Sequence, residues 1–152
     1  MSSLADAFPE DKRRRFAADN LAIGTVIKAF VSDTTPPKEK RLIIMGTSYD
    51  KVCVATVYIN SELNAKIFPT KELRDLNYFI ESVDREYIDH DSYIDCSNLH
   101  ILKREVLQNI IVSNTNRVLG TISEDDYKIL RDLIKSAKTI KPSLKKTYGL
   151  FL

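Results

Sequence analysis

His90 stands between two carboxylates, in Asp89-His90-Asp91, and heads the run Ser92-Tyr93-Ile94-Asp95-Cys96-Ser97-Asn98-Leu99. An imidazole that titrates near neutrality suits general acid–base work. The flanking carboxylates favour its charged form, which equally suits a structural turn or cap. A metal site at Asp89-His90-Asp91 is unfavourable, because adjacent side chains on a strand point to opposite faces. Beyond His90 polar and apolar residues alternate, Tyr93, Asp95 and Ser97 on one side and Ile94, Cys96 and Asn98 on the other. This period of two predicts a strand with one buried face. Its hydroxyls, carboxylate and amide suit a binding surface, and equally an ordinary half-buried strand. Tyr49, Tyr58 and Tyr93 could stack nucleobases or fill core and rim positions.

The 152 residues bound this chemistry to one domain with one proper core, and the 43% hydrophobic and 29% charged fractions are those of a globular protein. No apolar run approaches the ~20 residues that cross a bilayer, and Ser2-Ser3-Leu4-Ala5-Asp6-Ala7 lacks the layout of a signal peptide. Cys53 and Cys96 lie in apolar strand patterns and read as small buried hydrophobes in a reducing compartment. With two Cys, two His and no CxxC spacing, a structural zinc site is not expected. The expected location is cytoplasmic, without membrane contact. Net charge is only +2, yet Lys12-Arg13-Arg14-Arg15 clusters near one end. Lys135, Lys138, Lys141, Lys145 and Lys146 populate an acid-free final stretch. Basic ends on a near-neutral body suit RNA or an acidic protein partner, and equally a solvated helix face and a loose tail.

The elements that must position these groups are short. Pro9-Glu10-Asp11 opens a helical arm with Phe16, Ala17 and Leu21 as its apolar side. Thr25–Val31 is rich in β-branched residues and predicts a first strand, and Ser32–Lys40, with Pro36-Pro37, predicts a loop. Arg41–Gly46 is nearly all apolar and predicts a central second strand. Val52–Ile59 predicts a third. Thr70 caps a short helix, strand character returns near Tyr78 and Ile80, and Ile101–Ile110 is ambiguous between helix and strand. Arg117–Ile122 predicts a last strand. Ser123-Glu124-Asp125-Asp126 resembles a capping box, and Ile129, Leu130, Leu133, Ile134 and Ala137 line one face of a closing helix. This order predicts a mainly β protein with α: a small, strongly twisted antiparallel sheet or barrel with an N-terminal helical arm and a C-terminal amphipathic helix. Its parts are an arm (1–22), a barrel domain with closing helix (23–140) and a Lys-rich tail (141–152). Four glycines leave no phosphate-cradling loop of the G-x-G-x-x-G or Walker type.

Five segments in this order resemble the MazF/PemK family of type II toxin–antitoxin toxins. They are Gly24-Thr25-Val26-Ile27, Arg41-Leu42-Ile43-Ile44, Ile59-Asn60-Ser61, His90-Asp91-Ser92-Tyr93-Ile94 and Leu119-Gly120-Thr121-Ile122-Ser123. Residues 65–87 make a longer segment than the family has there. The resemblance implies an SH3-like barrel that dimerises, cleaves single-stranded RNA without metal or other cofactor, and is restrained by a cognate antitoxin. By position it implies catalysis by Arg41 with a hydroxyl partner, Ser61 first and Thr56 second. A guanidinium and a hydroxyl suit the charge that builds when a ribose 2′-hydroxyl attacks its own phosphate. Lys38, Lys40, Asn60, His90, Asn98 and His100 are the implied RNA contacts, the lysines holding neighbouring phosphates. The alternative is a non-catalytic barrel of the same fold that binds a protein or RNA. Its model is the CcdB group, which depends on a C-terminal Trp-Gly-Ile where this chain ends Gly149-Leu150-Phe151-Leu152.

Overall fold

The first three strands pair in chain order, first with second and second with third, and the sheet grows outward from them. The computed structural model describes residues 9–31 and 38–151. In chain order the elements are α1 (Glu10–Asp19), β1 (Thr25–Val31), β2 (Lys38–Thr47), β3 (Cys53–Asn60), α2 (Lys71–Arg74) and β4 (Asn77–Ile80). After these come β5 (Ser92–Lys103), α3 (Arg104–Ser113), β6 (Val118–Thr121), α4 (Glu124–Ser136) and α5 (Pro142–Thr147). A 3-10 turn at Thr115–Arg117 leads into β6. Every strand pairing is antiparallel, in the order β4-β5-β3-β2-β1-β6, and the sheet curls strongly into a half-barrel. β2 and β3 are central, which is why their interiors read as continuous apolar runs.

Both faces of the sheet are covered. Val26, Ile43, Val57 and Ile94 pack on one face against Leu130 and Ile134 of α4 and Ala137 just after it. Ile27, Leu42, Ile44 and Val54 pack on the other against Ala17 and Leu21 of the α1 segment and Leu107 and Ile111 of α3. Each fully buried Leu or Ile is worth roughly 1.5–3 kcal/mol, so the arm and α3 form a core of their own. α4 starts as its sequence predicts: Ser123 Oγ accepts from Asp126 N at 3.1 Å. Ile129, assigned to the buried face, is instead 39% exposed. Thr70 likewise caps α2, its Oγ1 accepting from Leu73 N.

Three expectations are corrected and one ambiguity is resolved. Lys38–Lys40 belong to β2, where a loop was expected; the remainder of that loop, 32–37, lies outside the described residues, as does the segment 1–8. The ambiguous segment splits, since β5 runs on to Lys103 and α3 begins at Arg104. The Lys-rich tail is part of the core. Pro142 opens α5, Tyr148 and Leu150 are buried, and Lys145 Nζ donates to the carbonyls of Lys135 and Ala137 at 2.8 Å each. Its ammonium thereby satisfies carbonyls at the α4 C-terminus, where the helix dipole favours a cation. Lys145 is therefore not available to a polyanion. The alternation along β5 also breaks after Ser97, so Asn98, expected on the buried side, is exposed.

The long connection from β4 to β5 is fastened to α4 by an ion pair. Arg85 Nε and Nη2 donate to the two carboxylate oxygens of Asp126 at 3.0 Å, and Tyr78 OH donates to Oδ1 at 3.1 Å. Burial alone would raise the Asp126 carboxyl; the bonds from Arg85, Tyr78 and Ser123 outweigh it and hold it below the usual carboxylate range. Asp126→Asn is expected to cost about 3 kcal/mol at neutral pH by urea unfolding. Because the folded-state value is depressed, this contribution is whole above the unfolded value, about pH 4, and is lost as pH falls through the folded value. The deficit of the variant should therefore shrink in acid. A second expectation concerns Gly46, where an added Cβ would lie 2.3 Å from Tyr148 O. Gly46→Ala should destabilise by about 1–3 kcal/mol, read as a lowered denaturant midpoint.

Candidate functional site

The ends of β2 and β3 and the start of β5 meet at one end of the sheet. Arg41 is registered opposite Ile59, and Ile59 opposite Ile94. A cavity of about 300 Å³ opens there. Six of the predicted residues line it: Lys38, Lys40, Arg41, Asn60, Ser61 and His90. They come from three segments far apart in sequence, so the strand register assembles them. Glu39, also on its wall, is occupied by Arg117, whose Nη1 donates to it at 2.5 Å, and lies 3.7 Å from Lys28. The hydrogen bond and charge of Arg117 hold the Glu39 carboxyl below its ordinary value. With Glu39 matched, three cationic side chains dominate the cavity.

Arg41 is a half-buried cation of this set. Its side chain is 23% exposed, and Nη2 donates to Asp89 Oδ2 at 2.7 Å. Asp89 itself is 79% exposed, so solvent screens the pair and its worth is small. Among the described residues the buried Nε of Arg41 has no hydrogen-bond partner. Lys40 Nζ donates to Asn60 Oδ1 at 2.7 Å across the β2–β3 pair. Alternation along β2 puts Arg41 on the face of Ile43, toward α4, and Lys40 on the face of Leu42, toward α3. The cavity is thus a rim that reaches both faces at the strand ends.

A second cavity, about 480 Å³, shares Lys38, Lys40, Asn60 and Ser61 with the first. It adds Tyr58, His100, Asp95 and the segment with Ile67 and Phe68. The Tyr58 and His100 rings stack with centroids 3.6 Å apart and planes 7° apart. His100 therefore joins the predicted cluster through this second cavity. Asn98 and Thr56 line neither. Thr56 is fully buried and its Oγ1 donates to the carbonyl of His100 at 2.8 Å, which makes it a tie between β3 and β5. His90 is exposed, and its two neighbours are engaged elsewhere: Asp89 with Arg41, and Asp91 Oδ1 accepting from Ser82 N.

Sequence reasoning missed Asp89 as the partner of Arg41, 48 residues away, and the ring stack of Tyr58 on His100. Both follow from strand pairing, which no local pattern encodes. A larger cavity, about 550 Å³, lies beside the 82–88 segment. The Arg85 guanidinium on its wall is already bound by Asp126 and by the carbonyl of Glu81. The cations expected from the sequence lie together at the strand ends, so the site is placed there. Among the described residues, no group of three or more His, Cys, Asp or Glu side chains is arranged to hold a metal, and no helix is long and apolar enough to cross a membrane. No protein-family model matches the chain, and no curated protein matches it in sequence.

Thr56 can be separated from the rim residues by stability. Thr56→Val should cost about 1 kcal/mol by denaturant unfolding, because the His100 carbonyl loses its donor.

Proposed function

We propose that this chain is the toxin of a type II toxin–antitoxin pair, an endoribonuclease that cuts single-stranded RNA without a metal ion at the rim formed by Arg41 and Ser61. One observation carries the reading. Lys38, Lys40, Arg41, Asn60, Ser61 and His90, chosen from sequence order, line a single cavity. Polyanion binding suits three cations whose acidic neighbours are either matched elsewhere, as Glu39 is by Arg117, or exposed, as Asp89 is on Arg41. In the reaction the ribose O2′ forms a bond to phosphorus and the P–O5′ bond breaks. The 2′-hydroxyl loses its proton, and O5′ gains one. The products are a 2′,3′-cyclic phosphate and a free 5′-hydroxyl.

Arg41 stabilises the charge that develops on the phosphoryl oxygens, exchanging its exposed Asp89 partner for the phosphate. Exposed Ser61 donates a further hydrogen bond, and exposed His90 can carry the proton. Lys38 and Lys40 hold adjacent phosphates without reading sequence. The SH3-like barrel, the homodimer, the cytoplasmic location and the antitoxin that covers this rim belong to the same proposal.

The test is purified protein with single-stranded RNA in EDTA. Wild type should cleave, Arg41→Ala should fall about 10²–10³-fold, and Ser61→Ala should fall about tenfold, the worth of one neutral hydrogen bond. Absence of cleavage, or cleavage unchanged in Arg41→Ala, would count against the reading. Growth arrest on expression with cellular RNA intact would favour a barrel that acts by binding a protein.

A further inference from the structure

We infer that the second cavity is a base-reading pocket that selects nucleobases carrying an exocyclic amino group, with Asp95 as the selecting residue. The inference rests on single-stranded RNA being the ligand of the rim. The two cavities share Lys38, Lys40, Asn60 and Ser61, so a phosphate held beside Arg41 leaves its neighbouring nucleoside at the second cavity. That cavity has what a base requires. Half-buried His100, its ring stacked on the buried Tyr58, supplies aromatic surface, and Phe68, 6% exposed, supplies an apolar wall. Ile67 is 64% exposed, a large apolar side chain set beside the rings with its surface uncovered. Stacking on such surface adds affinity for every base and discriminates little.

Discrimination falls to the polar groups. An ionised carboxylate only accepts hydrogen bonds. Asp95 Oδ1 takes both the backbone N–H and the hydroxyl of Ser97. Oδ2 takes no hydrogen bond among the described residues. Asp95 is registered opposite Tyr58, which puts it on the ring-bearing face. The Oδ1 of Asn60 is held by Lys40, which leaves the Asn60 amide to donate. An acceptor and a donor along one cavity match the amino group and ring acceptors of cytosine. Uracil presents a carbonyl where cytosine presents the amino group, so two acceptors would face each other.

Binding separates the pocket from the cleavage chemistry. Full-length Arg41→Ala protein is titrated into fluorescein-labelled oligocytidine and oligouridine of equal length at one salt concentration, read by anisotropy. Oligocytidine should bind about tenfold more tightly. Asp95→Asn, which keeps the Oδ1 acceptor for Ser97 and turns the free oxygen into a donor, should erase or invert that ratio. His100→Ala should weaken both ligands by similar factors and leave the ratio standing. Equal affinities, no binding to either, or a ratio unmoved by Asp95→Asn would overturn the pocket even if the wild type cleaves RNA. A wild type that cleaves nothing, while the ratio and its dependence on Asp95 hold, would remove the cleavage reading alone.

Discussion

The site depends on the register of β3, which is hydrogen-bonded along both edges and so fixes β2 and β5 relative to each other. On one edge Arg41 meets Ile59; on the other, Tyr58 meets Asp95 and Thr56 meets His100. Four residues of β5, 96–99, therefore stand opposite the single Val57. This irregularity bends the strand, as an extra residue does in any bulge. Asp95 accepts two bonds from Ser97 within it, and Thr56 ties the far side to the His100 carbonyl. Slipping this register by one residue would exchange the two faces and bury the polar set. The polar face that first marks His90–Leu99 as unusual is thus the local cause of the second cavity.

Short-range patterns in the sequence carry much of this fold. β1 is legible from its β-branched run, β2 from its apolar continuity, and α4 from Ser123 and the spacing of Leu130 and Ile134. The clustering of Lys38, Arg41, Ser61 and His90 is anticipated by element order. What fails is what depends on distant partners. α3 has no side-chain cap at Lys103 and follows directly from a strand, so its start leaves no local sign. Lys145 looks like a solvated tail residue, yet carbonyls at the end of α4 draw it in. Pro142 at the first turn of α5 was the available hint of a further helix. Asp126 completes a capping pattern by its position, while its carboxylate turns to Arg85, 41 residues away.

The two buried faces explain how such a rim can stay rigid. Helices lie on both sides of the sheet, so β2 and β3 are covered along most of their length and only their ends reach solvent. Lys38 and Glu39 are exposed, Lys40 and Arg41 are half-buried, and the five residues after them are sealed. Charge is therefore confined to the last turns of pleat, where desolvation is incomplete and a polyanion can still approach. A guanidinium deeper in the sheet would need a permanent buried partner. Arg41 instead holds an exposed one.

That choice of partner bears on how a ligand could displace it. An ion pair with a 79% exposed Asp89 is screened by water and worth little. A phosphodiester carries the same single charge and can accept two bonds from the guanidinium, where Asp89 takes one. Arg41 is thus held in place by packing along its stem and by a partner weak enough to be exchanged. Its neighbour Lys40 points to the opposite face, where Asn60 holds its ammonium near Tyr58 and His100. A ligand touching both must pass over the strand ends, backbone on one face and one base on the other. An extended single strand can make that turn at a single nucleotide. A stacked duplex cannot do so without unpairing, so under the proposed function the shape of the rim suits an unpaired strand.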